Sequence, residues 1–247
     1  MSRPLLSVII PCYNAARFLP EAVATVRAQR YEPLEIFVID DGSTDATPEI
    51  APGLGPEVRY LRQENRGPSA ARNVALRQAR GEIIAFLDAD DQWPEGRLDL
   101  QVGRLLEDPA LDVVSGRVRY VELRGGQIPD LRFEGPDRTL PGIHIGAAVY
   151  RRRAFDVVGL FDETLRYSED HDWFLRAREA GLKMLVLAEV TLLYRMHDAN
   201  MTRDVPQRNL IPTLVIHKSL QRRRRKGGVA TDLPPWSSYD EKRRTDE

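Results

Sequence analysis

Four groups of residues in this chain could do chemistry. The most pointed is Asp88-Ala89-Asp90, followed at once by Asp91, at the end of the apolar run Gly-Glu-Ile-Ile-Ala-Phe-Leu. Alternate side chains of a strand share a face, so Asp88 and Asp90 point the same way. Such a pair offers hard oxygen donors to Mn²⁺ or Mg²⁺, with diphosphate oxygens completing the shell. Without a cation the same acidity would repel phosphates and raise the carboxylate pKa values. A lone Asp-x-Asp also occurs in exposed turns; its place after a wholly apolar strand favours the metal reading.

Two further groups follow strands: Pro11-Cys12-Tyr13-Asn14, and Asp40-Asp41-Gly42-Ser43-Thr44-Asp45. Tyr13 can stack on a nucleobase, and Asp40 or Asp41 can accept a base N–H or a ribose hydroxyl. The same residues also read as local structure, with Asn14 capping a helix and Asp41-Gly42-Ser43 making a turn, and both readings can hold together. The first group has no glycine and no lysine, which argues against a dinucleotide fold or a nucleotidyltransferase. The fourth group, Glu169-Asp170-His171-Asp172, reads by itself as an acidic helix start favoured by the helix dipole.

The elements that must position these groups alternate between strand and helix. Strands are expected over residues 5–10, 34–39, 58–61, 81–87 and 112–121, with helices over 16–30, 69–80 and from Pro94 to about residue 107. Residues 122–142 are rich in Gly, Pro and charge and read as a mobile excursion. An apolar run at 143–150, a helix at 169–180 ended by Gly181, and a strand at 182–194 follow. This order predicts an α/β fold, a central mostly parallel sheet flanked by helices. In such sheets ligands sit beyond the carboxyl ends of the strands, so the first three groups should meet on one edge. Residues 1–205 are expected to form the catalytic domain, 206–226 a C-terminal helix with a basic end, and 227–247 a tail without structure.

Composition narrows the rest. Among 247 residues, 36 basic and 37 acidic side chains nearly cancel to a net charge of -1, so nothing points to nucleic acid as a partner. Any basic patch must be local, as at Arg222, Arg223, Arg224, Arg225 and Lys226, which could be a solvated helix end or a peripheral contact with anionic lipid. The single cysteine, Cys12, excludes an intrachain disulfide framework and fits a cytoplasmic setting. No stretch approaches the roughly 20 apolar residues that cross a bilayer.

SVIIPCYN, VIDDGSTDAT, QENRGPSAARN, IIAFLDADD and SEDHDWFLRAREAG, in that order, resemble the inverting family-two glycosyltransferases with the GT-A fold. The resemblance runs over roughly residues 5 to 200. It implies that Pro11, Tyr13, Asp41 and Arg72 hold the base and ribose, and that Asp88 and Asp90 meet ribose and metal, with Asp91 accessory. Asp170, beside Glu169, falls on the catalytic base, and His197 on a histidine that closes over the diphosphate or joins the metal. It further implies hexosyl transfer from a nucleoside-diphosphate sugar, UDP-linked by preference, to a carbohydrate or lipid-linked acceptor in cell-envelope polysaccharide synthesis. Processive members carry Gln-x-x-Arg-Trp and membrane helices; this chain has neither, so single or short additions are expected. A nucleotidyltransferase and a non-catalytic nucleotide-sugar-binding module are the competing readings.

Overall fold

The computed structural model describes residues 3–123, 138–141, 144–201, 213–225 and 233–241. Its eight strands are β1 Leu6–Cys12, β2 Leu34–Asp40, β3 Val58–Arg62, β4 Ile83–Phe86, β5 Val113–Glu122, β6 Thr139–Pro141, β7 Val149–Arg151 and β8 Met184–Met196. They form one sheet in the order β3-β2-β1-β4-β7-β5-β6, with β8 also paired to β5. The half from β3 to β4 is parallel. Beyond β4 the sheet turns antiparallel at β7, β5 and β6, and β8 returns parallel to β5. "Mostly parallel" therefore describes the half that carries the N-terminal groups, and the whole sheet is mixed.

The period-two pattern of the strands feeds two cores. Leu6, Val8, Ile10, Ile36, Val38, Ile83 and Ala85 face one side, where they pack against α1 Leu19–Ala28 and α4 Arg97–Glu107. Ile9, Phe37, Ile39, Ile84 and Phe86 face the other, against α3 Pro68–Gln78, α5 Arg152–Val158 and α6 Glu169–Glu179. Strands covered on both faces read as continuous apolar runs, which is why β1 and β4 stood out in the sequence. The second core is aromatic: Trp173 meets the ring of Tyr150 edge-on at 5.2 Å, and Phe86 meets Phe161 at 5.5 Å. Helix α2 (Thr47–Ile50) is a single turn, and α7 (Thr213–Arg225) packs on α6.

Several boundaries differ from the sequence reading. Helix α1 starts at Leu19, so Asn14 does not cap it; Asn14 sits at φ +50° and its Oδ1 accepts from Thr44 N at 2.8 Å. β1 runs to Cys12, which makes Pro11 and Cys12 strand residues. Most of the 122–142 excursion lies outside the described residues, apart from β6 and the residues beside it. Residues 202–212, Lys226 and residues 227–232 and 242–247 also lie outside them. The unstructured tail does not hold for residues 233–241. There Trp236 stacks edge-on against Phe174 at 5.5 Å, Glu241 pairs with Arg104 at 2.8 Å, and Asp240 bridges to Val186. Among the described residues no helix is long and apolar enough to cross a membrane.

One buried cation braces the short turn Ile145–Ala147 between β6 and β7. Arg97 is 2% exposed and donates to Gly146 O at 2.6 Å, Thr191 O at 2.8 Å and Ala148 O at 3.2 Å, with burial pulling its pKa down to about 9. Gln101 adds bonds to Val114 O and Ala147 O, both at 2.9 Å. Arg97→Met would strip those carbonyls of their donor inside the core. It is expected to lower the unfolding free energy by about 3 kcal/mol or more, read by urea denaturation.

Candidate functional site

The parallel half of the sheet delivers the expected groups to one edge, because β2, β1 and β4 are adjacent and all run the same way. What each group does there was only partly foreseeable. Asp40 is fully buried, its Oδ1 accepting from Ser43 N at 2.7 Å and its Oδ2 from the Tyr60 hydroxyl at 2.7 Å. Asp41, 4% exposed, accepts from Gln63 Nε2 at 2.7 Å, Arg66 N at 2.9 Å and Gly67 N at 2.7 Å. Both carboxylates hold loops together, and a nucleotide would share or displace those donors. Gly42, at φ +80°, makes the turn between them possible, since a Cβ there would stand 2.9 Å from Asn65 N. Tyr13 is half exposed at the mouth of this edge, Pro11 lies in β1 opposite Ile39, and Ala89 is buried. Burial and the neighbouring Asp40, Asp45 and Asp41 push the Cys12 thiol far above its usual range, so it is no nucleophile.

At the end of β4 the three carboxylates part ways. Asp88 Oδ1 accepts from Arg72 Nη2 at 2.6 Å. Asp90 Oδ2 meets His197 Nε2 at 3.1 Å and Asn200 Nδ2 at 3.3 Å. Asp91 is 1% exposed; its Oδ1 accepts from Arg195 N at 3.0 Å, and its Oδ2 has no hydrogen-bond partner among the described residues. Burial, then the charges of Asp90 and Asp88, raise the Asp91 pKa well above the usual carboxylate range. Three carboxylates within four residues offer the hard oxygen donors that suit a divalent cation, so this donor set fits Mn²⁺ or Mg²⁺. His197 fits that ion less well than expected. Ala199 N–H donates to its Nδ1 at 3.2 Å, and its Nε2 already meets Asp90 Oδ2 at 3.1 Å and Asn200 Nδ2 at 3.2 Å, so neither ring nitrogen is left open to a metal.

Arg72 joins this edge to the fourth group. It is 3% exposed, and while Nη2 holds Asp88, Nη1 donates to Glu169 at 2.7 Å in the first turn of α6. The sequence reading placed Arg72 on the nucleotide; in this structure both ends of its fork are spent on carboxylates. Burial raises the Glu169 pKa against the pull of Arg72. Next to it, Asp170 Oδ1 accepts from His171 Nδ1 at 2.8 Å. Burial is the largest single influence on Asp170 and pushes its pKa up, but that bond, the charge of His171 and the His171 backbone N–H together hold it below the usual carboxylate range, while the His171 pKa rises despite its own burial. Asp170 is thus kept ionised, with Oδ2 outside that bond.

Sequence reasoning missed several residues here. Asn73, next to Arg72 in the same quoted motif, clamps the loop before α6 by donating to Phe161 O at 3.0 Å and accepting from Phe161 N at 2.9 Å. Arg195 secures the Asp88–Asp91 loop through Asp90 O and reaches Glu21, and Asn200 braces Asp90. His144 places a ring nitrogen within 4.8 Å of carboxylate oxygens of Asp88 and Asp91. None of these carried a motif of its own; the only signal was proximity to motifs, since their roles arise from contacts distant in sequence. In the basic run, Arg222 is committed to Glu179 at 2.9 Å and Asp172 at 3.1 Å, so it docks α7 on α6.

Comparison with known proteins gives the family and the fold. The model of glycosyl transferase family 2 matches residues 7–159, a span that ends before Glu169. An uncharacterized glycosyltransferase of Rickettsia typhi is 32% identical over 216 residues, covering 81% of this chain and 66% of the relative. The minor teichoic acid biosynthesis protein GgaA of Bacillus subtilis is 32% identical over 209 residues, covering 77% of this chain and 47% of that protein. This chain thus spans no more than about two thirds of either relative. Among solved structures, S. aureus TarS 1-349 in complex with UDP-GlcNAc superposes with a TM-score of 0.65 at 23% identity, over 81% of this chain and 61% of that one. The mannosyltransferase PcManGT from Pyrobaculum calidifontis, in complex with GDP-Man and Mn²⁺, gives 0.64 at 23% identity, over 95% of this chain and 67% of that one. At that identity the two structures show the fold, GT-A, and no more.

The Arg72 bridge has a pH signature. In Arg72→Met, Glu169 keeps its burial and loses its cation, so its folded pKa climbs further above the unfolded value. A carboxyl of raised pKa stabilises the fold below the unfolded pKa and loses that contribution as pH rises through the folded one. Arg72→Met is therefore expected to be destabilised by about 3 kcal/mol, more at about pH 8 than at about pH 5, by urea denaturation at both.

Proposed function

The chain belongs to glycosyl transferase family 2, and from that premise we propose that it moves one sugar from a nucleoside-diphosphate sugar, UDP-linked by preference, to an acceptor hydroxyl with inversion. The observation that carries the reading is the Arg72 fork. It sets the Asp88–Asp91 carboxylates, which suit a diphosphate with its cation, beside the helix start that bears an ionised Asp170.

In this reading Tyr13 stacks on the base, with Pro11, Asn14, Asp40, Asp41 and Ala89 shaping the wall around it. Asp88 and Asp90 hold the divalent cation, which when bound supplies Lewis acidity for the departing diphosphate. His197 and Asn200 orient Asp90 by hydrogen bonds, as partners of a metal-binding carboxylate do. Asp170 Oδ2 takes the proton of the acceptor hydroxyl as that oxygen attacks the anomeric carbon from the face opposite the leaving diphosphate. His171 fixes Asp170 Oδ1 and keeps it ionised; Glu169, neutralised by Arg72, has no free charge to compete as base. The acceptor is a cell-envelope carbohydrate or lipid-linked glycan, a reading supported by the teichoic acid relative. Arg224, Arg225 and Lys226 are the part of the basic run assigned to anionic lipid, Arg222 being engaged on α6.

Transfer is tested with a panel of sugar nucleotides, Mn²⁺ and glycan acceptors, following nucleoside diphosphate release. Donor binding without release would leave a binding module in place of an enzyme. Asp170→Asn is expected to lose about 10²- to 10⁴-fold in kcat with donor affinity little changed, because an amide keeps the shape and cannot take a proton. Glu169→Gln is the control. Retention of turnover by Asp170→Asn and its loss in Glu169→Gln would move the base to Glu169. Separately, Asp90→Ala is expected to abolish the Mn²⁺-dependent part of nucleoside diphosphate binding while leaving the melting temperature at or above that of the wild type. Isothermal titration with and without Mn²⁺ reads the first effect.

A further inference from the structure

His144 stands where the proposed function assigns no residue. It precedes the turn Ile145–Ala147, whose carbonyls are taken by Arg97, Gln101 and Thr191, so its backbone has little freedom. Gly146 N–H donates to His144 Nδ1 at 3.1 Å, and a Cβ on Gly146 would come within 3.3 Å of that nitrogen. The ring also lies edge-on to Tyr194 at 5.7 Å. With Nδ1 accepting, the neutral ring carries its proton on Nε2, and its remaining capacity is to donate.

The His144 ring shares a small polar space with two carboxylates. A ring nitrogen of His144 and one oxygen each of Asp88 and Asp91 lie within 4.8 Å of one another. Asp91 is buried and its Oδ2 has no partner among the described residues. A cation suits the two carboxylates but not an N–H. A group that accepts from His144 and donates to a carboxylate satisfies all of them, and two hydrogen bonds of about 2.8 Å through one oxygen span up to about 5 Å. That group is a hydroxyl. Asp88 and Asp91 flank Asp90, assigned to the diphosphate end, and Arg72 ties Asp88 to Glu169, the neighbour of Asp170, assigned to the anomeric carbon. The hydroxyl therefore sits on the transferred sugar.

We propose that His144, with Asp88 and Asp91 Oδ2, forms a subsite that grips one hydroxyl of the transferred sugar, with His144 as the hydrogen-bond donor that sets sugar preference. The proposal rests on the glycosyltransferase reading, and the experiment separates the two. Isothermal titration with Mn²⁺ compares UDP-GlcNAc and GDP-mannose with UDP and GDP, for the wild type, His144→Ala and His144→Gln. The expected result is that His144→Ala weakens the preferred sugar nucleotide about 5- to 30-fold and leaves its sugar-free nucleotide unchanged. His144→Gln, which keeps an N–H donor, should recover most of the loss. Among deoxy analogues of the preferred sugar, one should weaken binding to the wild type and not to His144→Ala. Equal loss for sugar nucleotide and free nucleotide would make His144 a structural residue and overturn the proposal, as would no loss at all. Mn²⁺ binding in the absence of nucleotide that disappears in His144→Ala would make the triad a cation site instead. Failure of the wild type to bind any of the four nucleotides would sink the glycosyltransferase reading first, and this one with it.

Discussion

The guanidinium of Arg72 is the interaction on which the rest of the site depends. Three carboxylates crowd the end of β4 and three more begin α6, and bringing those two acidic groups together in a partly buried cleft costs Coulomb energy at every step. Arg72 sits between them with one nitrogen on Asp88 and another on Glu169, and it is buried enough for those bonds to be weakly screened. A planar fork with two separated donors can do this; a lysine's single ammonium cannot. Once Glu169 is neutralised, Asp170 is the carboxylate of the pair left to take a proton.

The same logic of acidic groups held by fixed partners recurs around the edge. Asp41 gathers the Gln63–Gly67 loop, Asp90 is braced by His197 and Asn200, and Asp170 is held by His171. Each carboxylate keeps its position through a partner from a loop distant in sequence or from its own helix turn. What is left unpaired is confined to a few atoms, above all Asp91 Oδ2. A buried polar atom without a partner is costly in a folded protein, and such costs are tolerated where a ligand relieves them. The two histidines near this acidity, His144 and His197, each accept a backbone N–H on Nδ1, which leaves Nε2 of each as the nitrogen for other groups.

The second core supports the site from below. Phe86, Phe161, Trp173 and Tyr150 interlock beneath β4 and α6, so the two elements that carry the carboxylates share one aromatic foundation. Residues 233–241 extend that foundation from the far side of α6, through Trp236 on Phe174. The position of α6 is thus set by packing as well as by the ion pair, and an acidic helix start that would be unremarkable in isolation becomes part of a cleft.

The sequence by itself determined the α/β class, the strands that bear the clusters and the edge on which they meet. Those features follow from local periodicity: apolar runs at β1, β2 and β4 fix which residues come last, and parallel strands place their ends together. Motif resemblance added the family and the identity of the acidic groups. The partner of each carboxylate was decided only by tertiary structure, because hydrogen bonds between residues as far apart as Arg72 and Glu169, or Asp90 and His197, leave no periodic trace. That is why Asp40 and Asp41 read as open ligands when their oxygens were already engaged. It is also why His144, with no motif around it, became visible only once the chain had folded it against Asp88 and Asp91.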